Sequence, residues 1–252
     1  MTTTIAIAGK GGTGKTTLCG LMIRHLARHK GGKILAIDAD PSSNLHLVLG
    51  LPLTQTVGDI REDARDGVQP GQSRQDFLTY AVRMAVEEGD EFDLLAMGRP
   101  EGQGCYCAAN HLLRTIIDGI NRGYDWVVMD NEAGMEHLSR RTTRDVDHLL
   151  LVSDPTLRGL TAAEAMVALS KELEINVRNI YLVINRVQGE LSPSLQARAE
   201  ALGVPLLAVL PYDPLVAEFD AQGRPLVELP ADAAISHAVA EVVHKLLADH
   251  DP

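Results

Sequence analysis

The run Gly9-Lys10-Gly11-Gly12-Thr13-Gly14-Lys15-Thr16-Thr17 has the composition of a loop made to hold phosphate. Gly9 and Gly14 bracket four residues, and a lysine and a hydroxyl residue follow at once, the spacing of a phosphate-binding loop. Glycines let successive backbone N–H groups converge on an anion, and a helix opening at Lys15 adds the partial positive charge of its N-terminus. In such a loop Lys15 reaches the β- and γ-phosphates of a nucleotide, and the Thr16 hydroxyl takes one coordination position on Mg²⁺. The apolar run Thr4-Ile5-Ala6-Ile7-Ala8 before it and an amphipathic pattern after it supply the strand and helix that the motif requires.

Two acidic strand ends add to this. Asp38-Ala39-Asp40-Pro41-Ser42-Ser43-Asn44 follows a second apolar run, with Pro41 fixing the backbone and Ser and Asn supplying turns and a helix cap. A carboxylate at Asp40 can orient and polarise a water for attack on a γ-phosphate; the plainer role for Asp38 and Asp40 is to cap the next helix. A further apolar run, Trp126-Val127-Val128-Met129, ends in Asp130, where a carboxylate can hold Mg²⁺ directly or through water.

The third feature is Cys105-Tyr106-Cys107, after Gly98-Arg99-Pro100-Glu101. Cys107 opens a predicted helix, where the free N–H groups favour thiolate over thiol. One chain supplies only two soft ligands, too few for a closed tetrahedral or square-planar site. A two-fold dimer would supply four. Cys19, within the predicted first helix, reads as core filler.

These residues need a scaffold that brings them to one edge. Strands are expected near 3–8, 33–38, 93–97, 126–130, 148–153, 180–185 and 206–210. Helices are expected near 15–29, 44–49, 76–88, 108–121, 136–143, 159–173, 193–202, 213–221 and 233–248, and the polar stretch 54–75 reads as a mobile surface insertion. Alternation of this kind predicts a single α/β domain over residues 1–252, a predominantly parallel sheet of seven or eight strands with helices on both faces. Ligands of such sheets bind beyond the carboxyl ends of the strands, where the loops starting at residues 9, 39, 98, 131, 154 and 186 would gather.

Composition narrows the partners. A net charge of −11 over 252 residues disfavours nucleic acid, and no run approaches the ~20 apolar residues of a membrane span. Three cysteines make a poor disulfide framework and fit a reducing cytoplasm.

Lys10 directly after the first glycine resembles the deviant phosphate loop of the MinD/ParA/iron-protein group of dimeric ATPases. The resemblance implies that Lys10 reaches across a two-fold interface to the partner's ATP or ADP and that Asp40 belongs to a first switch. It also implies that Asn131-Glu132-Ala133-Gly134 forms a second switch with Gly134 near the γ-phosphate. By the same resemblance Asn185 reads the adenine edge, and the loop through Pro211 and Asp213 closes over the base. Taken with the Gly-Arg-Pro-Glu loop leading to Cys-x-Cys, the whole pattern, residues 1 to about 247, resembles the CooC-type nickel-insertion ATPases of carbon monoxide dehydrogenase maturation. That implies a homodimer holding Ni²⁺, or Zn²⁺ in its place, between Cys105 and Cys107 of both subunits, and a nickel-enzyme client.

Relatives of the same group differ in what this sequence lacks. Nitrogenase-type iron proteins carry a second cysteine just after the Asp130 position, and none stands there. MinD ends in a basic amphipathic membrane helix, whereas this chain ends in acids. Two other readings stay open: a nucleotide-dependent dimerisation switch without metal cargo, and an electron-transfer ATPase with a shared iron–sulfur cluster.

Overall fold

Alternate side chains of β1 (Thr3–Gly9) diverge into two separate cores. Ile5 and Ile7 pack on one face with Leu18, Met22 and Leu26, while Ala6 and Ala8 face the other way, among Leu35, Ile37 and Leu149. All seven residues of β1 are buried, as a strand covered on both sides must be.

A computed structural model of the chain describes residues 2–29, 31–66, 73–99, 115, 117–133, 145–172 and 176–248. Its sheet has seven described strands: β1, β2 (Ile34–Ala39), β3 (Asp93–Ala96), β4 (Trp126–Asn131), β5 (Asp145–Ser153), β6 (Asn176–Val187) and β7 (Leu206–Pro211). They run parallel in the order β3-β2-β4-β1-β5-β6-β7. Since β4 lies between β2 and β1, the chain reverses its winding at β1, which places a crevice at the carboxyl end of that strand.

Among the described residues the helices are α1 (Lys15–His29), α2 (Leu45–Leu49), α3 (Val57–Asp66), α4 (Arg74–Met84), α5 (Leu157–Glu172), α6 (Pro193–Glu200), α7 (Pro214–Ala221) and α8 (Ala234–Ala248), with helical residues also at 117–121. α1 packs against α8 on the Ile5/Ile7 side, and α4 and α5 supply the opposite core. No described helix is long and apolar enough to cross a membrane.

Two expectations need correction. The stretch 54–75, expected as a mobile surface insertion, contains the helix Val57–Asp66, which buries Val57 and Ile60 against the sheet. A reciprocal cap starts that helix: Thr56 N–H donates to Asp59 Oδ2 at 2.8 Å, and Asp59 N–H donates to Thr56 Oγ1 at 3.2 Å. The helix expected over 76–88 ends at Met84, after which Glu87 pairs with Leu94 in an antiparallel bridge. The expected helix 136–143, most of 108–121, and Cys105, Cys107 and Gly134 lie outside the described residues.

Candidate functional site

The loop between β1 and α1 closes on itself before any ligand is considered. The Lys10 carbonyl accepts from Thr13 Oγ1 at 2.9 Å and from Lys15 Nζ at 3.5 Å, which curls Lys15, only 7% exposed, back over the loop. Gly12 and Gly14 sit at φ +80° and +89°, where side chains are strained, and a Cβ on Gly14 would also collide with Asn185 Nδ2. Lys10 itself is exposed, and so are Gly11 and Gly12, whereas Thr13 is buried.

A corner at the end of β6 braces this loop from the far side. Asn185 Nδ2 donates to the Thr13 carbonyl at 2.9 Å, and Asn185 Oδ1 accepts from Arg186 N–H at 2.8 Å. Arg186 Nη1 donates to the Gly12 carbonyl at 2.7 Å. Arg186 holds φ +62°, a left-handed conformation costly for a residue with a Cβ and characteristic of functional corners. The sequence reading passed over Arg186; its only signal was its place after Asn185.

Two carboxylates meet beneath the loop. Asp38 and Asp130 stand opposite each other in the β2–β4 register, and the Thr16 hydroxyl hydrogen-bonds Asp130. Burial pushes Asp130 up to about 7, against a Thr16 hydrogen bond that lowers it and an Asp38 charge that raises it further. Burial likewise pushes Asp38 up to about 6, although it accepts N–H bonds from Leu45 at 2.8 Å and Asp40 at 3.1 Å. Asp38, rather than Asn44, is therefore the side chain that caps α2. The oxygens suit Mg²⁺, a hard cation that prefers hydroxyl and carboxylate ligands, and Asp130 Oδ1 is buried with no hydrogen-bond partner among the described residues.

Asp40 lies on the same edge, half-buried, with Oδ1 accepting from Ser42 N–H at 2.8 Å. Its other oxygen has no hydrogen-bond partner among the described residues. Asn131, next to Asp130, is buried and donates from Nδ2 to the Ile7 carbonyl at 3.0 Å, tying the β4 end to the strand that enters the phosphate loop.

Beside the first turn of α1 lies a cavity of about 180 Å³ whose walls include Thr17, Asn185, Pro211, Tyr212 and Asp213. The fold thus assembles residues from positions 17, 185 and 211–213 into one pocket. Asp213 has both oxygens engaged there, accepting from Leu215 N–H at 3.0 Å and Ile235 N–H at 3.2 Å. It caps α7 and anchors the start of α8. Cys19 is fully buried in the core beneath the loop, as its reading as core filler expected.

A glycine loop at the winding reversal of a parallel sheet, with its threonine already joined to a strand-end aspartate, makes this chain a P-loop ATPase. Residues 4–226 match the CobQ/CobB/MinD/ParA nucleotide binding domain family, and the chain belongs to that family. It is 43% identical to an uncharacterised ATP-binding protein of Methanocaldococcus jannaschii, over 96% of this chain and 98% of that protein. It is 30% identical to the carbon monoxide dehydrogenase accessory protein CooC of Rhodospirillum rubrum, over 93% of this chain and 94% of that one. Among solved structures it resembles the septum site-determining protein MinD of Pyrococcus horikoshii, complexed with Mg-ADP. The TM-score is 0.71 at 24% identity, with 98% of both chains covered.

Proposed function

We propose that the chain is an ATP-hydrolysing, homodimeric metallochaperone. It binds Ni²⁺ through Cys105 and Cys107 of both subunits and delivers it to carbon monoxide dehydrogenase or a related nickel enzyme. The observation that carries this reading is how the segment leading to the cysteines leaves the sheet. Met97 N–H donates to the Asp38 carbonyl at 2.8 Å, and Gly58 N–H donates to the Met97 carbonyl at 2.9 Å. Gly98 and Arg99 then share a cavity of about 360 Å³ with Pro41, Ser43 and Thr56. A change in the Asp40 loop on loss of the γ-phosphate therefore acts directly on the stretch that runs into Cys105. The CooC relative, matched along nearly the whole chain, supports the same reading.

In this mechanism the backbone N–H groups of Gly11 to Thr17 and the Lys15 ammonium hold the phosphates of ATP, while Lys10, exposed on the rim, reaches the nucleotide of the second subunit. Bound Mg²⁺ would be held by Thr16 and Asp130 and would offset charge on the phosphates. Asp40 orients the attacking water with its unengaged oxygen and accepts its proton. In the base pocket one amide hydrogen of Asn185 remains after its bond to Thr13, and it suits an acceptor on the edge of adenine. Pro211 lines the wall over the base. Asp213 acts there by holding the pocket's two helices together. Gly134, after the Asp130 strand, gives its N–H to the γ-phosphate.

The test is metal and nucleotide titration of the wild type and a Cys105→Ser/Cys107→Ser double variant, with gel filtration in ATP analogue and in ADP. The wild type should bind one Ni²⁺ per dimer and the double variant none, with ATPase activity retained. Unchanged Ni²⁺ affinity and stoichiometry in the variant would remove the metal role and leave a dimerisation switch. A brown absorbance near ~400 nm after anaerobic purification would instead mark a thiolate-ligated iron–sulfur cluster.

A further inference from the structure

At the opposite end of α1 from the phosphate loop, an acidic protein keeps a pocket of positive charge. A cavity of about 380 Å³ lies between the second half of α1 and the first turns of α8, with Arg24, His25, Arg28, His29, Ser236 and His237 on its walls. No carboxylate lines it among the described residues. Arg24 and Arg28 stand one helical turn apart on α1, a like-charge spacing that by itself destabilises a helix. His25 stacks on His29 with ring centroids 4.3 Å apart and meets His244 edge-on at 5.2 Å.

Arg28 and His29 have an ordinary role available, since cations in the last turn of a helix offset its dipole. That role does not reach Arg24. Its side chain is only 7% exposed, and Nη1 is buried with no hydrogen-bond partner among the described residues. A guanidinium so placed costs free energy unless something accepts from it. Burial, with Arg28 adding to it, pushes Arg24 below the usual arginine range, the direction expected where a counter-charge is missing. The wall facing α1 is the start of α8, whose N-terminal turn carries partial positive charge. Ser236 Oγ is already spent on the Pro230 carbonyl at 3.0 Å, so the side-chain donors left are guanidiniums and imidazoles.

We propose that this cavity is a binding site for a phosphate-bearing anion, separate from the nucleotide site. Arg24 and Arg28 form a two-guanidinium clamp, a geometry suited to a tetrahedral oxyanion, and His29 and His237 close the mouth. The site lies about 14–20 Å along α1 from Lys15, at 1.5 Å per residue, so one anion cannot occupy both. Free phosphate and a small phosphomonoester share this chemistry, and the cavity has room for either.

The test holds the phosphate loop filled with saturating Mg·ADP and follows the imidazole resonances of His25, His29 and His237 by NMR. Inorganic phosphate is added in one arm and glycerol 3-phosphate in another, against sodium chloride at matched ionic strength. Saturable shifts of these imidazoles are expected in at least one phosphate arm, and the stronger arm identifies the source. Arg28→Gln, an exposed and fold-tolerant change, should weaken the binding about tenfold, the loss of one charge-assisted contact. Arg24→Gln should weaken it at least as much where that variant folds. Absence of saturable shifts in both phosphate arms overturns the proposal, and so does binding to Arg28→Gln as tight as to the wild type.

Discussion

Removing the charge of Asp130 is expected to stabilise the nucleotide-free protein even as it abolishes hydrolysis. The carboxyl group is 1% exposed and burial holds it near 7, against an ordinary value of 3.8, with Asp38 opposite it held near 6. A folded value above the unfolded one means that between about pH 4 and 7 the folded state keeps a proton that the unfolded chain has released. Stability from this group is therefore full at acid pH and is lost as pH rises through that window. About three pH units at about 1.4 kcal/mol each give about 4 kcal/mol for an isolated group. Titration shared with Asp38 lowers this to about 2–4 kcal/mol. Asp130→Asn keeps an acceptor for Thr16 and removes the titration. It should match the wild type within about 1 kcal/mol at pH 4 and exceed it by about 2–4 kcal/mol at pH 8. Urea unfolding in EDTA, followed through the single tryptophan Trp126, measures both. Carboxylates outside the Asp38–Asp130 pair cancel in the difference between the two proteins. A variant no more stable than the wild type at pH 8, or a difference that does not change between the two pH values, would refute the buried-pair argument.

Other substitutions test the loop and its brace. Gly14→Ala combines a forbidden backbone angle with a collision at Asn185, and ATP affinity should fall at least tenfold in a fluorescent-nucleotide titration. Arg186→Ala releases the Gly12 carbonyl; since Arg186 is exposed, a loss of about 1 kcal/mol, roughly fivefold in ATP affinity, is expected with little change in melting temperature. Asp213→Ala removes acceptors at the starts of both α7 and α8, and calorimetry should show a loss of about 2 kcal/mol in stability, with weaker nucleotide binding following from it.

What could be read along the chain was what depends on neighbouring residues. The glycine spacing from Gly9 to Gly14, the alternation of Ile5 and Ile7 with Ala6 and Ala8, and an acid closing the apolar run at Asp130 are local patterns. The parallel α/β sheet and the phosphate loop followed from them. The helix at Val57–Asp66 was obscured because its polar surface dominates the composition of 54–75; two buried residues, Val57 and Ile60, and the Thr56–Asp59 cap decide it. Only the folded chain could show that Asp38 and Asp130 share a register or that Arg186 reaches Gly12 across 174 residues of sequence. The same holds for the meeting of α1 and α8 around Arg24. Periodicity assigns a residue to a face, but it carries no information on which distant element covers that face. That choice depends on strand order and helix packing, and it settles which charges lie close enough to alter one another.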